Sequence, residues 1–210
     1  MLSDVSDYNH QMSKQEKTPQ QEKAWLSDSD INGTFSKLKD NANTIYKKKT
    51  YTIRDLQDLQ DYIILCMLSG IFVPPRRSLD YTEFKIKNID KDTDNYLDKN
   101  ELAFNSYKTA KYYGLQKLEI PKELKTILAK WIKVNPTDYL LFDINNNKLT
   151  SVKLNQRLHK IFGKPSSVNA LRHSYLTSKY GETIKTTNAL KNDMADMGSS
   201  LAQAKIYIKE

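Results

Sequence analysis

Leu171-Arg172-His173-Ser174-Tyr175-Leu176-Thr177, taken together with Tyr207 near the end of the chain, decides how this sequence is understood. A guanidinium on a helix can grip a phosphate with paired donors, and a phenol can attack one. The surrounding chain is basic. Lys and Arg total 33 against 25 Asp and Glu, a formal +8, and the isoelectric point is near 9.3. That surplus favours a polyanionic partner such as nucleic acid, although a surface of ordinary solvated lysines gives the same count. An Arg-His pair standing alone is usually a surface salt-bridge site. Tyr207 alone is an ordinary amphipathic residue sharing a helical face with Ala204 and Ile208. The order of the other polar residues gives them their meaning.

With 210 residues, 39% of them hydrophobic, the chain can bury one good core and is too short for two large domains. Residues 1 to about 22 are rich in Ser, Asp, Gln and Lys and nearly free of apolar side chains. Nothing there offsets the entropy of ordering, so a disordered polar tail over 1–22 is expected ahead of one domain over 23–210. Cys66 is the sole cysteine, which leaves no disulfide framework and fits a reducing, intracellular setting. It lies in the apolar run Tyr62-Ile63-Ile64-Leu65-Cys66-Met67-Leu68 and reads as inert core. That run is too short to span a bilayer and no apolar signal segment is evident, so a soluble protein without a membrane partner is expected.

From Trp25 onward, Ser27 and Ser29 are N-cap candidates, and Ile31, Phe35 and Leu38 recur at helical spacing. Thr52 can cap a second helix in which Ile53, Leu56, Leu59, Ile63 and Met67 keep the period. This helix should be central. Gly70 through Pro74-Pro75 must end it. Alternation around Phe84 and Ile86, around Leu102, Phe104 and Ser106, and around Leu115, Leu118 and Ile120 predicts three short strands. Helices resume after Pro121, a favoured first helical position, with further helices expected at about 151–162, 168–180, 186–196 and 200–208. The expected architecture is α+β, mainly α-helical, with a small three-stranded antiparallel sheet.

Helix, arginine, sheet with lysine, helices, Arg-His and late tyrosine follow one another in an order that resembles the catalytic domain of the tyrosine recombinases, or phage-type integrases. The similarity runs from about Trp25 to the C-terminus. Pro74-Pro75-Arg76-Arg77 and Tyr107-Lys108-Thr109-Ala110-Lys111 look most like integrases of large DNA viruses and their mobile elements, which would place the protein in a host nucleus or cytoplasm. The resemblance implies a helical core of that family's kind. The Arg-x-x-acid pattern selects Arg77 with Asp80 for the family's first arginine, with Arg76 as the alternative. Lys108 matches the sheet lysine, Arg172 the second arginine and Tyr207 the nucleophile. Lys111 and Lys179 are expected to bind DNA.

The chemistry explains these residue types. Attack on a DNA phosphate builds negative charge on the non-bridging oxygens, which two guanidiniums can hold. A deoxyribose 5′ oxygen is a poor leaving group and requires a general acid, a part that a lysine desolvated against DNA can play. A phosphotyrosine stores the bond for religation, so the resemblance implies no cofactor and no metal. The partner is double-stranded DNA, with self-association on it. Only three residues follow Tyr207, so no tail that docks onto a neighbouring subunit is expected and a tetramer stays open.

This sequence departs from the family pattern at two supporting positions. Asn169 stands where His or Lys usually lies three residues before the second arginine, and Ser199 stands in the place of a His or Trp donor. Each lost donor costs on the order of 10² to 10³ in rate. His173 points about 100° away from Arg172 on a helix, so it is only a possible support. Two other readings of the same residues are a type IB topoisomerase, which relaxes DNA as a monomer, and a DNA-binding relic that forms no covalent adduct. A third motif competes: residues 90–101 place oxygens at positions 1, 3, 5, 9 and 12 of an EF-hand-like calcium loop. Its flanks alternate as strands and Asn95 stands where Gly is usual, so an acidic hairpin is expected there instead.

Overall fold

A computed structural model describes residues 16–204 and residue 208. Helix α1 (Pro19–Ala24) falls partly within the stretch expected to be structureless. Its order comes from a cap. The Thr18 hydroxyl accepts from the Gln21 amide at 3.2 Å while the Gln21 side chain accepts from the Thr18 amide at 2.9 Å, and Pro19 fixes the first helical φ. The Lys17 ammonium lies 3.8 Å from the centroid of the Trp25 ring, a cation–π contact across this short helix.

Helices α2 (Asp28–Ile45) and α3 (Ile53–Leu68) begin at the predicted caps Ser27 and Thr52, each closed by a capping box with Asp30 or Asp55. Helix α3 is the centre of the fold, and from Tyr62 to Leu68 every residue is buried. Burying a side chain such as Ile63 or Leu65 contributes about 1.5–3 kcal/mol. Burial also pushes the Cys66 thiol up to about 12, as befits an unreactive core residue. Gln60 is fully buried on this helix despite its polar side chain. Its side chain donates to the Phe142 carbonyl at 2.9 Å and accepts from the Phe142 amide at 2.7 Å, completing the hydrogen bonds of a backbone segment inside the core.

After the turn at Gly70, α4 (Ser78–Thr82) leads into a sheet of four strands in the order β1 (Phe84–Lys85), β2 (Asn95–Asp98), β3 (Glu101–Phe104), β4 (Gln116–Glu119). The three expected strands are β1, β3 and β4. The fourth, β2, lies inside the acidic stretch 90–101 and pairs parallel to β1 and antiparallel to β3, so the sheet is mixed rather than wholly antiparallel. Two apolar residues among Asp and Asn gave too short an alternation to show. What fixes the strand is Asn95, buried, whose amide donates to the carbonyls of Asp80 (3.1 Å) and Ser106 (2.7 Å) and whose oxygen accepts from the Ser106 amide at 2.8 Å.

Between β3 and β4 lies a one-turn helix, α5 (Ala110–Tyr113). Helix α6 (Lys122–Val134) starts one residue later than expected, with Pro121 as its N-cap residue. Its Trp131 stacks on Phe142 with ring centroids 5.9 Å apart and donates to the Leu140 carbonyl at 2.9 Å. Helix α7 (Ser151–Phe162) has the predicted limits. Helix α8 (Val168–Asp196) is continuous where two helices were expected. Gly181 costs the helix about 1 kcal/mol without interrupting it. Only Val168, Leu171, Ser174 and Met194 are buried along its length, so most of the helix faces solvent. It ends at Gly198, where the amides of Gly198 and Ser199 bond back to the carbonyls of Ala195 and Met194, the paired bonds of a Schellman cap. A 3₁₀ turn over Leu201–Gln203 follows at the start of the helix expected at 200–208, of which residues 205–207 lie outside the described residues.

Candidate active site

The arginine segment Pro74-Pro75-Arg76-Arg77 enters α4 directly. Arg76 is half-buried, and its Nε donates to Asp80 Oδ2 at 2.7 Å and an Nη to Gln116 Oε1 at 2.9 Å. Its guanidinium lies 4.1 Å from the Phe104 ring centroid and 5.1 Å from that of Tyr107. One cation therefore ties α4 to both strands of the β3–β4 hairpin. Asp80 was expected to pair with Arg77; its salt bridge is with Arg76 instead. Asp80 is 3% exposed on the inner face of α4, and Arg76, whose guanidinium stacks on Phe104, faces the same side. Burial pushes the Asp80 carboxyl up, and the Arg76 and Arg77 charges pull it back down.

Arg77 occupies the N-cap position of α4 in extended geometry, and its carbonyl accepts from the Asp80 amide at 3.1 Å. The Arg77 side chain is exposed and makes no hydrogen bond or ion pair with the described residues. Lys108 sits in the turn after β3, equally exposed and equally without such a partner among them, and Lys111 follows on α5. Two cations are thus held by the segments that Arg76 ties together, with their charges left to solvent.

Tyr81 joins this cluster to α3. Its hydroxyl accepts from the Arg76 amide at 2.9 Å and donates to the Met67 carbonyl at 3.0 Å, so it pins the arginine segment to the end of α3. Burial pushes the Tyr81 phenol far up, while the Arg76 and Arg172 charges both pull it down. Arg172 lies on α8, three residues before the Tyr175 ring that packs on Gly70. It is half-buried, and an Nη stands 3.5 Å from Asn169 Oδ1. His173 is exposed, as its rotation away from Arg172 predicts. Neither Tyr81, Gln116 nor the stacked rings of Phe104 and Tyr107 were singled out from sequence. Tyr81 lies next to Asp80, but an aromatic there reads as ordinary core.

Helix α8 is registered by Tyr175. The ring packs on Gly70, which has φ +87°, and a Cβ at Gly70 would collide with it. Lys179, expected to bind DNA, donates to the Tyr175 hydroxyl at 3.1 Å and lies 5.4 Å from the centroids of both Tyr175 and Tyr180. These two phenols push its ammonium up and hold it along the helix. Ser199 donates its hydroxyl to Gln203 Oε1 at 2.7 Å, closing the turn after α8. Tyr207 lies outside the described residues.

The stretch 90–101 does not have the form of a calcium loop, because residues 95–98 are strand β2. Its carboxylates face lysines and backbone: Asp94 pairs with Lys85 at 3.0 Å, Glu101 with Lys117 at 3.2 Å, and Asp90 accepts from the Asp92 amide at 3.0 Å. Among the described residues no three His, Cys, Asp or Glu side chains are grouped so that they could hold a metal ion. No helix among them is long and apolar enough to cross a membrane. No protein-family model and no curated protein matches this chain.

Proposed function

We propose that this chain cleaves and rejoins DNA strands in the manner of a tyrosine recombinase, with Arg77, Lys108 and Arg172 gathered on one scissile phosphate and Tyr207 as the nucleophile. What supports this most is the double tie through Arg76. Its guanidinium bridges Asp80 to Gln116 on the hairpin of Lys108, and its amide meets the Tyr81 phenol, which donates to Met67 at the end of α3. Two segments far apart in sequence are thereby linked, each carrying a cation the chemistry requires, and the third, α8, is seated by Tyr175 on Gly70, just beyond the Met67 carbonyl to which Tyr81 donates.

In this reaction the Tyr207 hydroxyl releases its proton to solvent and its oxygen bonds to phosphorus as the bond to the 5′ oxygen breaks, while the Lys108 ammonium delivers a proton to that leaving oxygen. The product is a 3′-phosphotyrosine, and the reverse attack by a 5′ hydroxyl reseals a strand. Arg77 and Arg172 neutralise the charge that builds on the non-bridging oxygens. Asn169 can accept or donate a hydrogen bond but carries no titrating proton, so slow turnover is expected. Incubation with nicked suicide duplexes tests the proposal. A covalent protein–DNA adduct that disappears in Tyr207→Phe is expected; an adduct that survives the substitution shows a different nucleophile, and DNA binding without any adduct leaves a non-catalytic binder.

A further inference from the structure

The β3–β4 connection carries a feature that strand cleavage does not use. Tyr112 is 80% exposed and Tyr113 is 70% exposed, and neither has a ring or hydrogen-bond partner among the described residues. Single exposed apolar residues are ordinary; two adjacent exposed phenol rings on a built turn are not. The turn is held in shape from both ends. The Tyr107 hydroxyl donates to the Gly114 carbonyl at 2.7 Å, and Gly114 adopts φ +62°, ψ −155°, a conformation essentially confined to glycine. At the base, the Arg76 guanidinium lies over Phe104 and Tyr107. Lys108 and Lys111 precede the rings on the same connection, with charges that no described residue neutralises.

We propose that Tyr112 and Tyr113 form a stacking tip that takes unpaired DNA bases beside the phosphate held by Arg77, Lys108 and Arg172; this rests on the function proposed above. Cations spaced along a turn suit a phosphate backbone, and exposed aromatic faces next to them suit bases. In an intact duplex those base faces are covered by their neighbours. Strands that are broken and exchanged must unpair next to the break, and a rigid aromatic tip at that place captures the freed bases. Side chains inserted at a base step act in the same way where proteins kink DNA.

Fluorescence anisotropy at fixed salt tests this with the full chain, a fully paired duplex, and the same duplex carrying a short internal bubble. The bubble is expected to bind about tenfold tighter than the paired duplex. The double variant Tyr112→Ala/Tyr113→Ala loses that preference while keeping paired-duplex affinity and its salt dependence, and Tyr112→Phe/Tyr113→Phe retains the preference because the ring faces remain. Lys108→Ala/Lys111→Ala weakens binding to both DNAs and flattens the slope of log Kd against log salt by about two. Circular dichroism of all variants should overlay the parent, since the four side chains lie on the surface. Equal affinity for bubble and duplex, or a preference that survives the alanine pair, overturns the stacking tip and leaves the strand-cleaving function standing. Failure to bind either DNA overturns both.

Discussion

Gly70 and Tyr175 meet face to face across the fold, the backbone of one against the ring of the other, and this contact sets where α8 lies on the end of α3. Arg172 is three residues before that ring on the same helix. Gly70→Ala adds a Cβ that collides with Tyr175 and must also adopt a positive φ. The variant is expected to lose about 1–3 kcal/mol of stability, read as a lower urea midpoint, together with any DNA cleavage, because displacing Tyr175 displaces Arg172. Full stability and full cleavage in Gly70→Ala would show that the register of α8 is set elsewhere.

Arg76 is assigned the work of a strut. Removing it leaves the Asp80 carboxylate buried without its ion-pair partner, a defect worth about 3–5 kcal/mol. Arg76→Ala is expected to unfold at much lower urea than the parent, and Arg76→Ala/Asp80→Asn to recover part of the loss. Equal midpoints for the single and double variants would contradict this division of labour between Arg76 and Arg77.

The caps were the most legible part of the fold. Ser27 and Thr52 announce α2 and α3 because their hydroxyls satisfy orphan amides locally, without help from the rest of the chain. Strand β2 was hidden for the opposite reason: its order comes from Asn95 reaching Asp80 and Ser106 far along the chain, which no local pattern reports. The same holds at the candidate site. Motif order pointed to Arg77, Lys108 and Arg172, whereas the salt bridge of Asp80 with Arg76 depends on the hairpin's Gln116 and Phe104 packing beside it. The break expected between 180 and 186 does not occur, and α8 runs through Gly181 without interruption.

Gln60 gives a test of the core. Gln60→Leu removes both hydrogen bonds to Phe142 and leaves its amide and carbonyl buried and unpaired, at about 1–3 kcal/mol for each group. Chemical denaturation is expected to show a loss of about 2–6 kcal/mol for the two groups together, with an unchanged m-value. A neutral result would mean that the Phe142 backbone finds another partner.

Acid should weaken the start of α3. The Lys48 ammonium, 2.6 Å away, and the Thr52 amide and hydroxyl hold the Asp55 carboxyl down at about 2, against an ordinary value of 3.8. A carboxyl lowered in the folded state stabilises above its unfolded pKa, and that contribution disappears as pH falls from about 4 to about 2. Asp55→Asn is therefore expected to lower the Tm at pH 6 and to match the parent near pH 2. Parallel Tm curves across that range would remove Asp55 from the account.

The central claim, that Arg77, Lys108 and Arg172 act together on one phosphate, is tested most directly by the rate of covalent adduct formation on a suicide duplex. Each single alanine variant, shown by circular dichroism to be folded and by anisotropy to bind duplex, is expected to form adduct at least about 100-fold more slowly than the parent. A parental rate in any one of the three contradicts the claim.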